Sequence, residues 1–145
     1  VTILIKNNQR KRRLRTESIR RKARKLLSSL GLRDAELGIL FVGDAAMRSL
    51  NRAWRGKDRT TDVLSFSLRE GKHPPVQSSL LGDVVISAPA AERQAAEAGH
   101  SLSREIDILL VHGVLHLAGY DHERGEAEAR RMRMKERKLL EIISR

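Results

Sequence analysis

Three of the chain's five histidines fall within eleven residues, as His112, His116 and His122 in the run VHGVLHLAGYDH. On an α-helix each residue advances ~100°, so His112 and His116 stand ~40° apart, on one face and one turn from each other. Two imidazoles placed like this can meet one metal ion. A helix continued to residue 122 would rotate a further ~600° and carry His122 off that face. Convergence of all three therefore requires the helix to end between them. Gly119 is the residue that can end it, because glycine takes the left-handed conformation without steric cost. The chain then turns back through Tyr120 and Asp121 to present His122. Three neutral imidazoles with one open position form the ligand set of a catalytic zinc site rather than a structural one. His73 and His100 have no such partners in sequence, and packing or surface exposure is the plain reading of both.

The spacing equals the zincin-like pattern H-E-x-x-H-x-x-G-x-x-H of one zinc-peptidase group. One position breaks the match: Gly113 stands where those peptidases carry their glutamate general base. A glycine there is expected to leave room beside the metal for a bulky substrate such as a phosphodiester. Asp121 is open to three readings: a replacement base, a partner orienting a ligand histidine, or a turn residue.

These groups must be held by a fold, and the apolar pattern outlines it. Val1–Ile5 reads as a short strand and Arg10–Arg15 as a charged connection. Thr16 is placed to cap a helix reaching about Leu30, with Ile19, Ala23, Leu26, Leu27 and Leu30 on one face; Gly31 ends it. Glu36–Val42 reads as a strand. Asp44 is placed as the N-cap of a helix through Trp54 whose buried stripe is Met47, Leu50 and Trp54. Arg55–Thr61 reads as a loop, Asp62–Leu68 as a strand, and Glu70–Ser79 as the longest loop. Leu80–Ser87 is a further strand. Pro89 belongs to the first turn of a helix ending near Gly99, and Ser101 or Ser103 opens the helix that carries His112 and His116. A last helix covers about Glu126–Ile143. Asp62 reads as a cap or a polar group near the site, and Asp83 as a turn or strand-edge residue. Four strands and five helices suit one layered α/β or α+β domain over residues 1–145.

Composition narrows the partners. The chain has 145 residues, 40% hydrophobic and 32% charged, as in globular proteins. Aromatics are 3%, too few for a platform stacking several bases. Cysteine is absent, which excludes disulfide partners, thiol catalysis and cysteine-ligated zinc. No apolar run reaches ~18 residues, so no membrane span is expected. The apolar start precedes the charges, the wrong order for a signal peptide, and the cytoplasm is the expected location. The net charge is +11. Residues 6–25 hold eleven bases against the single acid Glu17 and so carry almost all of it. With few acids to pair at i, i+4, this face invites a polyanion. Arg20, Arg21, Arg24 and Lys25 are the expected RNA-backbone contacts, without sequence information of their own.

HGVLHLAGYDH resembles the signature of the YbeY family, bacterial metal-dependent endoribonucleases and rRNA maturation factors. LNRAWRGKDRTTDVLSF (Leu50–Phe66) and LLGDVVIS (Leu80–Ser87) are similar to its other two motifs, in the same order. The resemblance spans about Glu36–Ile143 and has no counterpart before residue 35. Trp54 stands where another aromatic is usual, and Ser67 where proline is frequent. The resemblance implies a small mixed four-stranded sheet with helices around it. It implies Zn2+, or a similar divalent metal, held by His112, His116 and His122. It also implies that Arg55, of the R-G-K motif, lies in the substrate channel. The catalytic residues expected on this basis are Arg55 and His112, with Lys57 and Arg59 adding weaker phosphate contacts. In function it implies single-strand-selective RNA cleavage, maturation of the 16S rRNA 3′ end, late-stage ribosome quality control and contact with the small ribosomal subunit. Ribosomal proteins and assembly GTPases are partners by the same resemblance. Two other classes stand beside it: a metal-dependent hydrolase of another substrate such as a peptide, against which Gly113 argues, and a non-enzymatic assembly factor.

Overall fold

The computed structural model describes residues 2–68 and 80–145. The loop expected at Glu70–Ser79, with His73, lies outside the described residues. The elements run β1 (Thr2–Asn7), α1 (Thr16–Ser29), β2 (Glu36–Val42), α2 (Asp44–Arg55), β3 (Val63–Ser67), β4 (Leu80–Ser87), α3 (Ala88–Ala98), α4 (Leu102–Leu117) and α5 (Glu126–Ile143). The strands form one mixed sheet in the order β1-β2-β4-β3. β1, β2 and β4 are parallel, and β3 pairs antiparallel with β4 as an edge strand. The architecture is α+β, with a four-stranded mixed sheet and five helices among the described residues. No helix among them is long and apolar enough to cross a membrane.

The alternation of β2 sends Leu37, Ile39 and Phe41 to one face, where they join Val84 and Ile86 of β4 and the buried stripes of α1, α4 and α5. A smaller cluster, Val42, Met47, Leu64 and Val85, lies under α2 on the other face. Helix α4 is apolar around most of its circumference, and Ile106, Leu109, Leu110, Val111, Val114, Leu115 and Leu117 are all buried. A helix of that composition belongs in the interior. Its Ser101 cap accepts the Arg104 N–H at 3.0 Å, as expected from the sequence.

Two glycines let α4 approach the sheet. A Cβ at Gly113 would lie 2.7 Å and 3.1 Å from the two methyls of Val84 and 3.3 Å from Ser65 Oγ. At Gly82, where β4 bulges against β2 and φ is +145°, a Cβ would lie 2.3 Å from the Phe66 carbonyl and 2.9 Å from Leu117. Gly113 therefore does not make space for substrate, as its sequence position suggested. It lets the helix that carries His112 and His116 pack directly on β4.

Three other expectations are corrected. Thr16 is the first helical residue of α1, and Arg15 holds the cap position without a side-chain bond. Asp44 is likewise one residue inside α2, behind Gly43. Its carboxylate instead accepts both Arg93 guanidinium donors at 2.9 Å and 3.1 Å and the Ser87 hydroxyl at 3.2 Å. Trp54 is 68% exposed rather than buried. Only Met47 and part of Leu50 reach the core, and the Trp54 ring rests edge-on against Phe66 of the edge strand, 6.0 Å between centroids.

Candidate metal centre

Helix α4 ends where the sequence requires it to. The Gly119 N–H donates to the His116 carbonyl at 3.1 Å and the Tyr120 N–H to the Leu115 carbonyl at 3.0 Å, with Gly119 at φ +101°. This paired closure satisfies the last carbonyls of the helix and needs a left-handed residue at Gly119. Asp121 then accepts the Glu123 N–H at 2.9 Å and tightens the return of the chain. That backbone bond, with Arg124 beside it, holds the Asp121 carboxyl below its usual range. Asp121 thus serves the turn, and its carboxylate also lines the cavity of the three histidines.

The result is convergence of His112, His116 and His122, whose candidate ligand atoms all lie within 4.8 Å of one another. The ring centroids are 4.7 Å, 5.5 Å and 5.3 Å apart. Zinc–imidazole bonds of ~2.0–2.1 Å in a tetrahedron separate neighbouring nitrogens by about 3.3 Å. The Nε2 atoms of His112 and His116 are 3.2 Å apart. The donor set and its spacing fit a divalent metal of the zinc type. Burial, and then the neighbouring His112 and His122 rings, hold the His116 pKa below its ordinary value, favouring the neutral form that ligates. His122 is exposed and leaves the site open to solvent.

The histidines line a cavity of about 430 Å³ whose opposite wall is the α2–β3 connection. Arg55, Lys57, Arg59 and Arg124 supply cations to it, and Asp62, Asp121 and Glu123 supply carboxylates. The connection is braced rather than loose. Asn51 donates to the Arg59 carbonyl at 2.9 Å, Arg48 grips Asp58 at 2.8 Å and 3.1 Å, and Thr60 donates to Asp44 at 3.4 Å. Asp62 accepts the Val63 N–H at 2.8 Å and the Gln94 amide at 3.2 Å, so it opens β3 and ties it to α3. Arg55, the last residue of α2, donates to the Ser65 carbonyl at 3.1 Å. Ser65 in turn donates its hydroxyl to the Gly113 carbonyl at 3.0 Å. One serine on the edge strand thereby links the arginine to the helix that carries His112.

The basic segment stands elsewhere. None of Arg20, Arg21, Arg24 and Lys25 lines the cavity. Helix α1 packs against β1, α4 and α5, beside the sheet edge opposite β3. Pairing is also richer than the local sequence suggests. Arg12 bonds Glu92, Arg20 bonds Glu17, and Lys22 bonds Asp107 at 2.9 Å. Two of those acids lie eighty or more residues away, beyond the reach of an i, i+4 argument. His100 pairs with Glu105 at 2.7 Å, away from the cavity.

Contributors missed from the sequence include Glu123 and Arg124 of the cavity wall, and also Ser65, Asn51 and Glu136, whose Oε1 lies 3.5 Å from His112 Nδ1. Asn51 and Glu136 had a signal. Asn51 is four residues after buried Met47, and Glu136 four after buried Met132, so each is a polar residue on an apolar stripe. Nothing in the local pattern singles out Ser65.

The family model described as Endoribonuclease YbeY matches residues 4–144. The match reaches back through α1 and β1, beyond the Glu36 boundary of the motif resemblance. Endoribonuclease YbeY of Geobacter metallireducens is 46% identical over 144 residues, covering 99% of this chain and 96% of that protein. The Aquifex aeolicus protein of that name is 45% identical, covering 94% and 89%. The solution structure of TM1509 from Thermotoga maritima superposes with a TM-score of 0.68 at 28% identity, over 98% of this chain and 89% of the other.

Proposed function

Because the chain belongs to the YbeY endoribonuclease family, we propose that it is a zinc-dependent endoribonuclease that cuts single-stranded RNA, with the 16S rRNA 3′ end and the small ribosomal subunit as its targets. The observation that carries the reading is one cavity shared by three convergent imidazoles and the cations Arg55, Lys57 and Arg59. On this reading residues 1–145 act as one catalytic domain in the cytoplasm.

His112, His116 and His122 would hold the ion. When bound, zinc supplies Lewis acidity toward a phosphate oxygen. The chain's own residues do the rest. A phosphodiester in the cavity gains negative charge as it is cleaved, and a guanidinium meets two phosphate oxygens at once where an ammonium meets one. Arg55 spends one donor on the Ser65 carbonyl, which aims the group and leaves its other donors for the phosphate. Lys57 and Arg59 hold neighbouring phosphates along the braced connection. The peptidase reading lacks its base, since position 113 is a glycine, packed against Val84.

Arg21, Arg24 and Lys25 on α1 form a second, separate RNA contact, with Arg20 already engaged by Glu17. Their place beside the β1 edge suits anchoring on ribosomal RNA rather than guiding the scissile strand. The test is zinc analysis of the purified protein together with cleavage of an RNA bearing single-stranded ends, for wild type and His112→Ala. Zinc near one per chain with activity, both lost in the variant, supports the reading. An active His112→Ala protein, or a zinc-loaded wild type that cuts no RNA, rejects it.

A further inference from the structure

Helix α5 is densely charged, yet its inner stripe is apolar: Met132, Leu139 and Ile143 are 0%, 1% and 1% exposed. These positions follow a helical period, and Glu136 falls on the same stripe, four residues after Met132 and three before Leu139. Its side chain is 27% exposed. A carboxylate turned toward the interior loses hydration, and a helix this rich in surface positions offers many better places for one. The neighbouring ring explains the placement. Glu136 Oε1 lies 3.5 Å from Nδ1 of His112, whose ring is 29% exposed. The other nitrogen of that ring, Nε2, faces Nε2 of His116 at 3.2 Å. The two nitrogens of His112 are therefore divided between two tasks. Glu136 is not among the residues that line the cavity.

We propose that Glu136 is a positioning residue for the metal centre. Its carboxylate accepts the Nδ1–H of His112, selects the tautomer with a bare Nε2, and locks the ring plane toward the ion. This inference rests on the three-histidine metal reading. The 3.5 Å separation is a few tenths of an ångström beyond a formed N–H···O bond, a gap that the proposed pairing closes. Carboxylate partners of ligand histidines raise ligand basicity, and their removal costs about 10–100-fold in metal affinity or activity.

The test compares full-length wild type, Glu136→Gln and Glu136→Leu. Zinc affinity is read by competition with a chromophoric chelator, site geometry by the visible spectrum of the cobalt(II)-loaded protein, and folding by thermal unfolding of the metal-free protein. Glu136→Leu is expected to bind zinc about 10–100-fold more weakly with an altered cobalt spectrum, while the metal-free melting temperature stays close to wild type. Glu136→Gln keeps an acceptor oxygen and is expected to recover most of the affinity. A Leu variant that binds zinc as tightly as wild type with an unchanged cobalt spectrum overturns the proposal. So does equal weakening in both variants accompanied by equal loss of metal-free stability. A wild type that binds no zinc overturns the metal reading itself, a result distinct from either.

Discussion

Replacing Gly113 by alanine adds one methyl group, and the structure says where it must go. The new Cβ would sit 2.7 Å from one Val84 methyl and 3.1 Å from the other. Carbon atoms in contact prefer about 3.5–4.0 Å, so the shortfall is close to 1 Å. Val84 is fully buried and β-branched, and cannot swing aside cheaply. Helix α4 must therefore retreat from β4 by roughly that distance. The retreat also stretches the 3.0 Å bond from Ser65 to the Gly113 carbonyl, which weakens stability by about 1 kcal/mol. Overpacking costs about 1–3 kcal/mol, against a helix-propensity gain of about 1 kcal/mol for alanine over glycine. The expected net is a destabilisation of about 1–3 kcal/mol, read by urea unfolding. Val84→Ala removes both obstructing methyls. In that background Gly113→Ala should turn neutral or stabilising, giving a coupling energy of about 1–3 kcal/mol in the double-mutant cycle. Because His112 adjoins residue 113 and Arg55 is tied through Ser65, RNA cleavage should fall by as much as about 100-fold in the single variant. A Gly113→Ala protein more stable than wild type, with full activity and no coupling to Val84, would refute the close-packing account.

Arg55→Ala should lower turnover about 100–1,000-fold while zinc content stays at wild-type level; depletion of zinc would assign Arg55 to holding the fold of the site. Lys22 and Asp107 are 14% and 7% exposed. Asp107→Leu alone should cost about 3–5 kcal/mol by stranding the lysine, and Lys22→Met with Asp107→Leu should recover most of it; equal destabilisation in single and double variants would show the pair to be idle. The Arg93 bond, foremost, lowers the Asp44 pKa below its unfolded value. Asp44 therefore contributes stability that is complete above the unfolded pKa of about 3.9 and is lost as pH falls through the lower folded value. The stability gap between wild type and Asp44→Asn should be flat from about pH 7 to about pH 5 and shrink below about pH 4; a gap that widens on acidification contradicts the sign. Reversing Arg21, Arg24 and Lys25 to glutamate should weaken ribosomal RNA binding. The slope of log affinity against log salt should flatten by about 0.7–0.9 for each phosphate no longer neutralised, with cleavage of a short single-stranded RNA little changed; an unaltered slope would remove α1 from the RNA interface.

How far the sequence carries the fold depends on the range of the interactions involved. β2, β4 and α5 follow local periodicity, and their observed bounds equal those read from the pattern. The end of α4 is legible because one glycine and three histidines impose a single solution. The exposure of Trp54 is not: the residue continues the Met47–Leu50 spacing, but whether a helix face meets anything depends on where the sheet ends. Gly113 defeats local reasoning for a related reason. A missing side chain is visible in a sequence, while the side on which it is missed is a property of the neighbouring strand. The partners of Arg12 and Lys22 lie on α3 and α4, a relation that no spacing rule expresses. Resemblance carries what residues alone leave open, above all that Arg55 shares a cavity with the histidines.

The three imidazoles come from one helix end and the turn after it, whereas Arg55 arrives from another helix and reaches them only across the edge strand β3. In folding terms one half of the site is local and the other has high contact order. Closing the first requires a few residues of chain, while closing the second brings together Ser65 and Gly113, 48 positions apart, at a higher loop-closure cost. Ser65 couples the two halves, so the grip on a phosphate depends on a long-range contact that the geometry for an ion does not need.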